Sequence, residues 1–446
     1  MCPLYPFLKS CFARIAFSFV LIGLMLSGQS SAQQQTATKF DIERGRTMLE
    51  NIIKELKKNY YDPTFHGIDI EARIKKGDER IKQATTNGEI FGIIAQILAD
   101  LEDSHTYFVP PQRRAKTDYG WKMKMVGDKC FVYEVTPKSD AEAKGLKVGD
   151  EVLGVNGYAP TRDTMWKINY LFRLLKPQGG LRVVVQTANE QPRQLDIMAK
   201  IKEGKAITDL TNSADFSDFL REIERETDKK RHFFYEVGDN LTIWKMDEFD
   251  LEESKVDDIM NKLKKRPLLI IDLRGNGGGY EITLKRLLGH FFDHEIKIGD
   301  IKRRKETKAL TAKAIGKEPY QGKLVVLVDS DSGSASELFA RVIQLEKRGT
   351  IIGDKSAGAV MRSIFHPMQI GLDVVTFYGV SITDADITMT DGKSLEHTGI
   401  TPDEIALPTG PDMANKRDPV LARAAALLGV KLSDEEAGKL TSKSEK

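Results

Sequence analysis

The chain has 446 residues, 41% hydrophobic and 30% charged, with 67 Lys+Arg against 65 Asp+Glu. That length predicts about three units of roughly 150 residues, and the composition excludes a disordered or fibrous chain. Near-neutral charge without a basic block leaves no footprint for nucleic acid or an anionic membrane surface.

In chain order, Lys9 and Arg14 precede an apolar run, Ile15–Leu26, and small residues follow at Ser30-Ser31-Ala32. This pattern predicts an export signal over residues 1–32, because the run is short of the roughly 20 residues that span a bilayer. The expected location is therefore periplasmic or secreted, with no membrane span after signal removal. Removal takes away two positive charges, so 65 Lys+Arg balance 65 Asp+Glu. Cys2 and Cys11 leave with the signal, so the mature chain keeps only Cys130 and has no internal disulfide or cysteine zinc site. Within Cys130-Phe131-Val132-Tyr133 that thiol reads as a buried small hydrophobe.

From Asp41 to Leu101 apolar residues recur at helical spacing, as in Met48, Ile52, Ile53, Leu56 and again Ile90, Ile93, Ile94, Ile97, Leu98. This predicts an N-terminal helical region over 33–117. It closes at Asp103-Ser104-His105-Thr106 before Pro110-Pro111, with a linker to about Asp118.

Residues 118–203 carry short strand patterns around one helical stretch, Thr164–Leu175. Gly149-Asp150 turns into a strand and Asn156-Gly157 makes a tight hairpin. The unit resembles a PDZ domain, which would add a peptide chain end as a strand. Gly120-Trp121-Lys122-Met123 is the expected carboxylate loop, and Trp166, Tyr170 and Leu171 are expected on or near the groove helix; the alternative is that these are core residues.

Residues 204–411 alternate strand and helix: Leu241–Met246, Leu251–Lys264, Leu268–Leu273, a helix after Gly279, Leu324–Val328, Ala335–Glu346, Thr350–Gly353 and Val374–Ile382. This predicts an α/β layered domain. Residues 412–446 offer a helix, Val420–Leu428, and a polar tail expected to be poorly ordered.

Asp331-Ser332-Gly333-Ser334-Ala335-Ser336-Glu337 sits between a buried strand and an amphipathic helix. A turn there lifts the Ser334 hydroxyl off the sheet edge and aims the Ala335 amide at a developing oxyanion. Equally, Ser334 or Ser332 could merely cap the helix, with Glu337 completing a capping box. Gly275-Asn276-Gly277-Gly278-Gly279 leaves amides uncovered for an oxyanion hole, but lacks the Lys-Ser/Thr ending of a phosphate loop. Of the histidines, His105 is the best base, leaving a helix for a proline-bound loop. Glu396, in a turn held by Gly399 and Pro402, could orient a partner.

Together these motifs resemble the C-terminal processing, or tail-specific, serine peptidases, which include the tricorn core protease. The resemblance runs in order from Asp103-Ser104-His105-Thr106 through the PDZ-like unit, Asp272–Gly279 and Gly333–Glu337 to Glu396 before Gly399-Ile-Thr-Pro-Asp403. It implies a multidomain α/β fold with a ClpP/crotonase-like peptidase domain. In the family's serine/lysine branch a lysine follows the nucleophile by 25 residues, where this chain has Ala359. The resemblance is therefore to the tricorn-like branch, which implies Ser334 as nucleophile, His105 as base, and Ser104 and Glu396 orienting it. The oxyanion would lie between the amides of Ala335 and of Gly277 or Gly278. A third arrangement would use Lys355 as base. No cofactor or metal is implied. The implied partners are polypeptides, taken through free C-termini if the PDZ-like groove works as it does elsewhere, and oligomerisation stays open. The competing reading is a catalytically inactive peptide- or lipid-binding protein of the same fold.

Overall fold

In the computed structural model, which describes residues 36–111, 115–203, 231–316, 318–371 and 375–441, three helices come first. The expected signal, 1–32, and most of the start of the third expected unit, 204–230, lie outside the described residues. Helices α1 (Lys39–Asn59), α2 (Ile70–Lys82) and α3 (Asn87–Ala99) each begin where a Thr or Asp side chain accepts an N–H of the first turn: Thr38, Asp69 and Thr86. Their apolar stripes, including Met48, Ile52, Ile90 and Ile94, close over one core. Among the described residues no helix is long and apolar enough to cross a membrane.

The expected linker is partly strand. β1 (Tyr107–Val109) pairs antiparallel with Gly379–Ser381, because Phe108 finds full burial there beside Tyr378 and Val380. β2 (Ala115–Asp118) pairs with a later strand, Lys200–Glu203.

β3 (Trp121–Val126), β4 (Lys129–Val135), β5 (Glu151–Val155), β6 (Gly180–Gln186) and β7 (Arg193–Met198) form an antiparallel sheet in sequential order, with β3 at one edge. The stretch 165–175 is a short α-helix, Met165–Asn169, running into a π-helical turn, Tyr170–Leu175. Gly120–Met123 is not the loop expected. Only Gly120 turns, at φ +71°, and the alternation from Trp121 to Val126 makes a strand with Trp121 and Met123 buried in the unit's core. Tyr170 is also spoken for, its hydroxyl donating to the Phe108 carbonyl at 2.5 Å. Trp166 and Lys122 stay exposed, Lys122 paired with Glu134. Cys130 is buried, and burial pushes its thiol up.

The remaining chain builds a six-stranded sheet ordered Glu404–Ile405, Thr350–Gly353, Lys323–Val328, Leu268–Asp272, Leu241–Met246, His232–Val237; the last is antiparallel and the rest parallel. Crossover helices Glu253–Leu263, Glu281–Gly289 and Ala335–Leu345 pack on one face in the largest core. Pro419–Leu427 covers the other face. A second, antiparallel sheet joins Ile296–Arg303, Thr307–Ala312, Arg362–Ile370 and the long strand Thr376–Met389, whose Tyr378, Val380 and Ile382 receive the N-terminal helices. The tail is more ordered than expected. Asp434–Thr441 is helical, begun by a reciprocal Ser433–Glu436 cap, with Ala437 fully buried.

Candidate active site

Strand Lys323–Val328 is uninterruptedly apolar from Leu324 on, and its carboxyl end delivers the chain to Asp329–Ser334 before the helix Ala335–Leu345 begins. Ser334 sits at φ 52°, ψ −118°, a conformation that costs a non-glycine residue about 1–3 kcal/mol and is kept when surrounding contacts over-determine it. Those contacts are specific. Gly333 N–H and the Ser336 hydroxyl both donate to the Asn276 carbonyl at 2.9 Å, and the Ser332 hydroxyl donates to the Leu273 carbonyl at 2.8 Å. Ser332 is thus structural, and the Ser334 turn is stitched to the glycine turn 275–279.

Asn276, fully buried, also organises its own turn, donating from Nδ2 to the Met246 carbonyl and accepting Gly278 N–H on Oδ1 at 2.9 Å. Gly278 therefore has no amide to offer an oxyanion. It instead packs against Ser334, since an added Cβ would lie 2.6 Å from Ser334 Cβ at φ +110°. Gly277 is exposed and its N–H makes no hydrogen bond, and Ala335 N–H, at the helix start, makes none either. Among the described residues these two amides are the free donors flanking Ser334.

Asp103-Ser104-His105-Thr106 is held by Asp103, whose Oδ1 accepts His105 N–H at 2.9 Å, Thr106 N–H at 3.0 Å and the Thr383 hydroxyl at 2.6 Å. Strand Thr376–Met389 thereby fixes the loop. Glu396 reaches the same place, accepting Ser104 N–H at 2.9 Å and the Ser104 hydroxyl at 3.0 Å, and its side chain is only 10% exposed. The Ser104 hydroxyl also lies 2.7 Å from His105 Nδ1.

This order of partners assigns the protons. A carboxylate only accepts, so the single hydroxyl proton of Ser104 goes to Glu396, and the Ser104 oxygen accepts from His105 Nδ1–H. The Nε2 lone pair is then left free to act as a base. Burial holds the imidazole below its ordinary 6.5, against the opposing charges of Glu396 and Asp103, so it is neutral near pH 7.

The two halves meet at two consecutive residues. The Ala359 carbonyl accepts Ser334 N–H at 2.7 Å, and Val360 N–H donates to Glu396 Oε2 at 2.9 Å. No hydrogen bond joins His105 to Ser334 directly. Lys355 does not enter the arrangement: its carbonyl takes Arg162, and its ammonium makes no hydrogen bond or ion pair among the described residues. Nor do the described residues gather three His, Cys, Asp or Glu side chains suited to a metal. Sequence reasoning did not single out Asn276 as the organiser of its turn, nor Asp103, Val360 or Thr383 as supports.

Residues 240–406 match the family model described as Peptidase family S41, and residues 43–99 match the Tricorn protease C1 domain. Over residues 240–406, then, the chain is similar to peptidase family S41. The S41 match spans the parallel sheet with Ser334, the glycine turn and Glu396, whereas the C1 match covers the three N-terminal helices that lead to His105. A tail-specific protease of Haemophilus influenzae is 24% identical over 290 residues, covering 61% of this chain and 39% of that protein. A carboxyl-terminal-processing protease of Picosynechococcus sp. is 22% identical over 344 residues, covering 72% of this chain and 73% of that one. The chain thus spans well under half of the first relative. Mature CPAF shares the fold, with TM-score 0.61 at 13% identity, covering 84% of this chain and 94% of that one.

Proposed function

We propose that this protein is an exported serine endopeptidase of the S41 type that cleaves polypeptides through an acyl-enzyme on Ser334. The observation that carries the reading is the relay Glu396–Ser104–His105, fixed one residue along the backbone from the contact that anchors Ser334. His105 Nε2 takes the Ser334 proton as Oγ attacks the scissile carbonyl carbon, then gives that proton to the departing amine nitrogen. Water, deprotonated by the same nitrogen, next cleaves the ester. The oxyanion is held by Gly277 and Ala335 N–H, at the positive end of the helix, each donor worth about 3 kcal/mol in other serine enzymes.

The β-rich unit, read as PDZ-like, would present substrate chain ends. Its edge strand Trp121–Val126 has one open side, and it docks beside the catalytic turns. The Met125 carbonyl accepts the Ser330 hydroxyl at 2.6 Å, Gly127 N–H donates to Asp354 at 2.8 Å, and Arg162 pairs with Asp354 at 2.7 Å. A strand added there would lie close to the nucleophile's loop.

One observation favours a second reading, a binding protein without activity: the missing His105–Ser334 hydrogen bond, although such bonds are often long before substrate arrives. The test is hydrolysis of an unstructured protein, with free or amidated C-terminus, by wild type, Ser334→Ala and His105→Ala, their folding checked by circular dichroism. Cleavage by wild type alone supports the peptidase, and loss on amidation supports chain-end capture. A wild type inert toward substrates and a serine-reactive probe supports the binder.

A further inference from the structure

We propose that Glu337 is a positioning residue of this site, its carboxylate clamping the nucleophile turn to the 356–360 turn and, through that turn, to Glu396. The inference rests on the peptidase reading. Glu337 lies in the first turn of the helix after Ser334 and is fully buried. It accepts four donors: Ser334 N–H at 3.1 Å and Ala359 N–H at 2.9 Å on Oε2, and the Ser356 hydroxyl at 2.6 Å and Gly358 N–H at 2.8 Å on Oε1.

Ser334 and Ala359 are consequently joined twice, through Glu337 and by the direct Ser334 N–H to Ala359 carbonyl bond. The clamped turn is in turn fitted to the one bearing Glu396. Gly358, at φ +72°, is so close that an added Cβ would lie 3.0 Å from Gly399 N; His397 N–H donates to the Gly358 carbonyl at 2.8 Å, and Ile400 N–H to the Ser356 hydroxyl at 2.6 Å. One carboxylate therefore sets the spacing between the nucleophile and the relay that orients its base. A capping role alone would need only the Ser334 amide.

Three of the four partners are backbone N–H groups that can only donate, so a protonated carboxyl finds an acceptor only by turning the Ser356 hydroxyl round. Its hydrogen-bond partners, Ser334, Ser356, Gly358 and Ala359, carry no charge; the ionisable members of the network, Glu396 and His105, connect only through Val360 and Ser104. Burial pushes Glu337 up to about 7 against the pull of its four donors. For this group the folded pKa exceeds the unfolded one, so its contribution to stability falls as pH rises from about 4.5 to about 7. Activity should move the opposite way, gained as the anion forms.

The experiment compares full-length wild type with Glu337→Gln and Glu337→Asp. Glutamine should lower kcat about 100-fold with KM little changed, because it misplaces rather than unbinds. The acid limb of kcat/KM should move below 6.5, where His105 alone governs it. Aspartate, which keeps the charge, should recover part of the loss. Amide exchange at Ser334, Gly358 and Ala359, corrected for intrinsic rate, should accelerate in Glu337→Gln. A glutamine variant within about 3-fold of wild type with an unmoved limb overturns the proposal, as does exchange at these three amides no faster in Glu337→Gln than in wild type. A wild type inert to substrate and probe overturns the peptidase reading and the catalytic role with it, while exchange still separately decides whether the clamp exists.

Discussion

Replacing Glu396 by glutamine tests the relay at the point where proton bookkeeping is tightest. Glu396 meets three donors: Ser104 N–H on Oε1, and the Ser104 hydroxyl and Val360 N–H on Oε2. With the amide nitrogen at the Oε1 position, it faces Ser104 N–H, donor against donor. With the nitrogen at the Oε2 position, it opposes Val360 N–H and donates to the Ser104 oxygen. Ser104 must then donate to His105 Nδ1, which moves the ring proton to Nε2 and removes the lone pair that deprotonates Ser334. Inverting a catalytic tautomer this way costs about 10⁴ where the carboxylate touches the histidine. One hydroxyl intervenes here, so the expected fall in kcat is about 10²- to 10⁴-fold, or about 3–5 kcal/mol. The assay is steady-state hydrolysis of an unstructured substrate at pH 8, with thermal unfolding to verify the fold. A folded Glu396→Gln enzyme keeping more than about a third of wild-type kcat would refute the tautomer argument.

Ser334→Gly should abolish hydrolysis yet raise the unfolding free energy by about 1 kcal/mol, because glycine tolerates the φ of 52° that serine endures; urea titration measures it. Gly278→Ala should cost about 1–3 kcal/mol and most of the activity, since its Cβ would meet Ser334 Cβ at 2.6 Å and Ala335 N at 3.0 Å, read by unfolding beside turnover. Arg274→Met should destabilise by roughly 3 kcal/mol, because Arg274 bridges buried Asp272 at 2.7 Å and Asp418 at 2.8 Å and its loss leaves both carboxylates uncompensated. The Arg274 charge holds Asp272 down at about 2, against burial, so in wild type this group's stabilisation is present above 3.8 and lost as pH falls toward 2; acid titration followed by circular dichroism checks the window.

The residues of the proposed site were legible because each lies in a short motif with local punctuation: Ser334 between strand and helix, His105 before two prolines, Glu396 before Gly399. What the sequence hid is where backbone donors go. The glycine run suggested two interchangeable amides, and only the structure shows Asn276 Oδ1 consuming Gly278's. An asparagine two residues ahead of a glycine was a usable signal. Likewise Ser433-x-x-Glu436 announced a helix that the polar tail composition outweighed. Strand Ile296–Arg303 went unseen for a different reason. Ile296 and Ile298 alternate, then a bulge between Lys297 and Gly299 shifts the pattern so that Ile301 is the next inward residue.

Position 359 shows why the absent lysine leaves the scaffold intact. Ala359 gives its carbonyl to Ser334 N–H and its own N–H to Glu337, so both backbone groups are committed to holding the nucleophile. Neither bond depends on the side chain. The next residue, Val360, commits its N–H to Glu396. A turn whose backbone already fixes the nucleophile can carry a base on its own side chain, as a lysine would be, or receive one from elsewhere. On the proposed reading the second arrangement is the one used: with Glu396 Oε2 tied to Val360 and both its oxygens engaged by Ser104, the histidine beside Ser104 is held as the base. On that reading, what separates this chain from a serine/lysine arrangement is one side chain at 359 and one anchored carboxylate at 396.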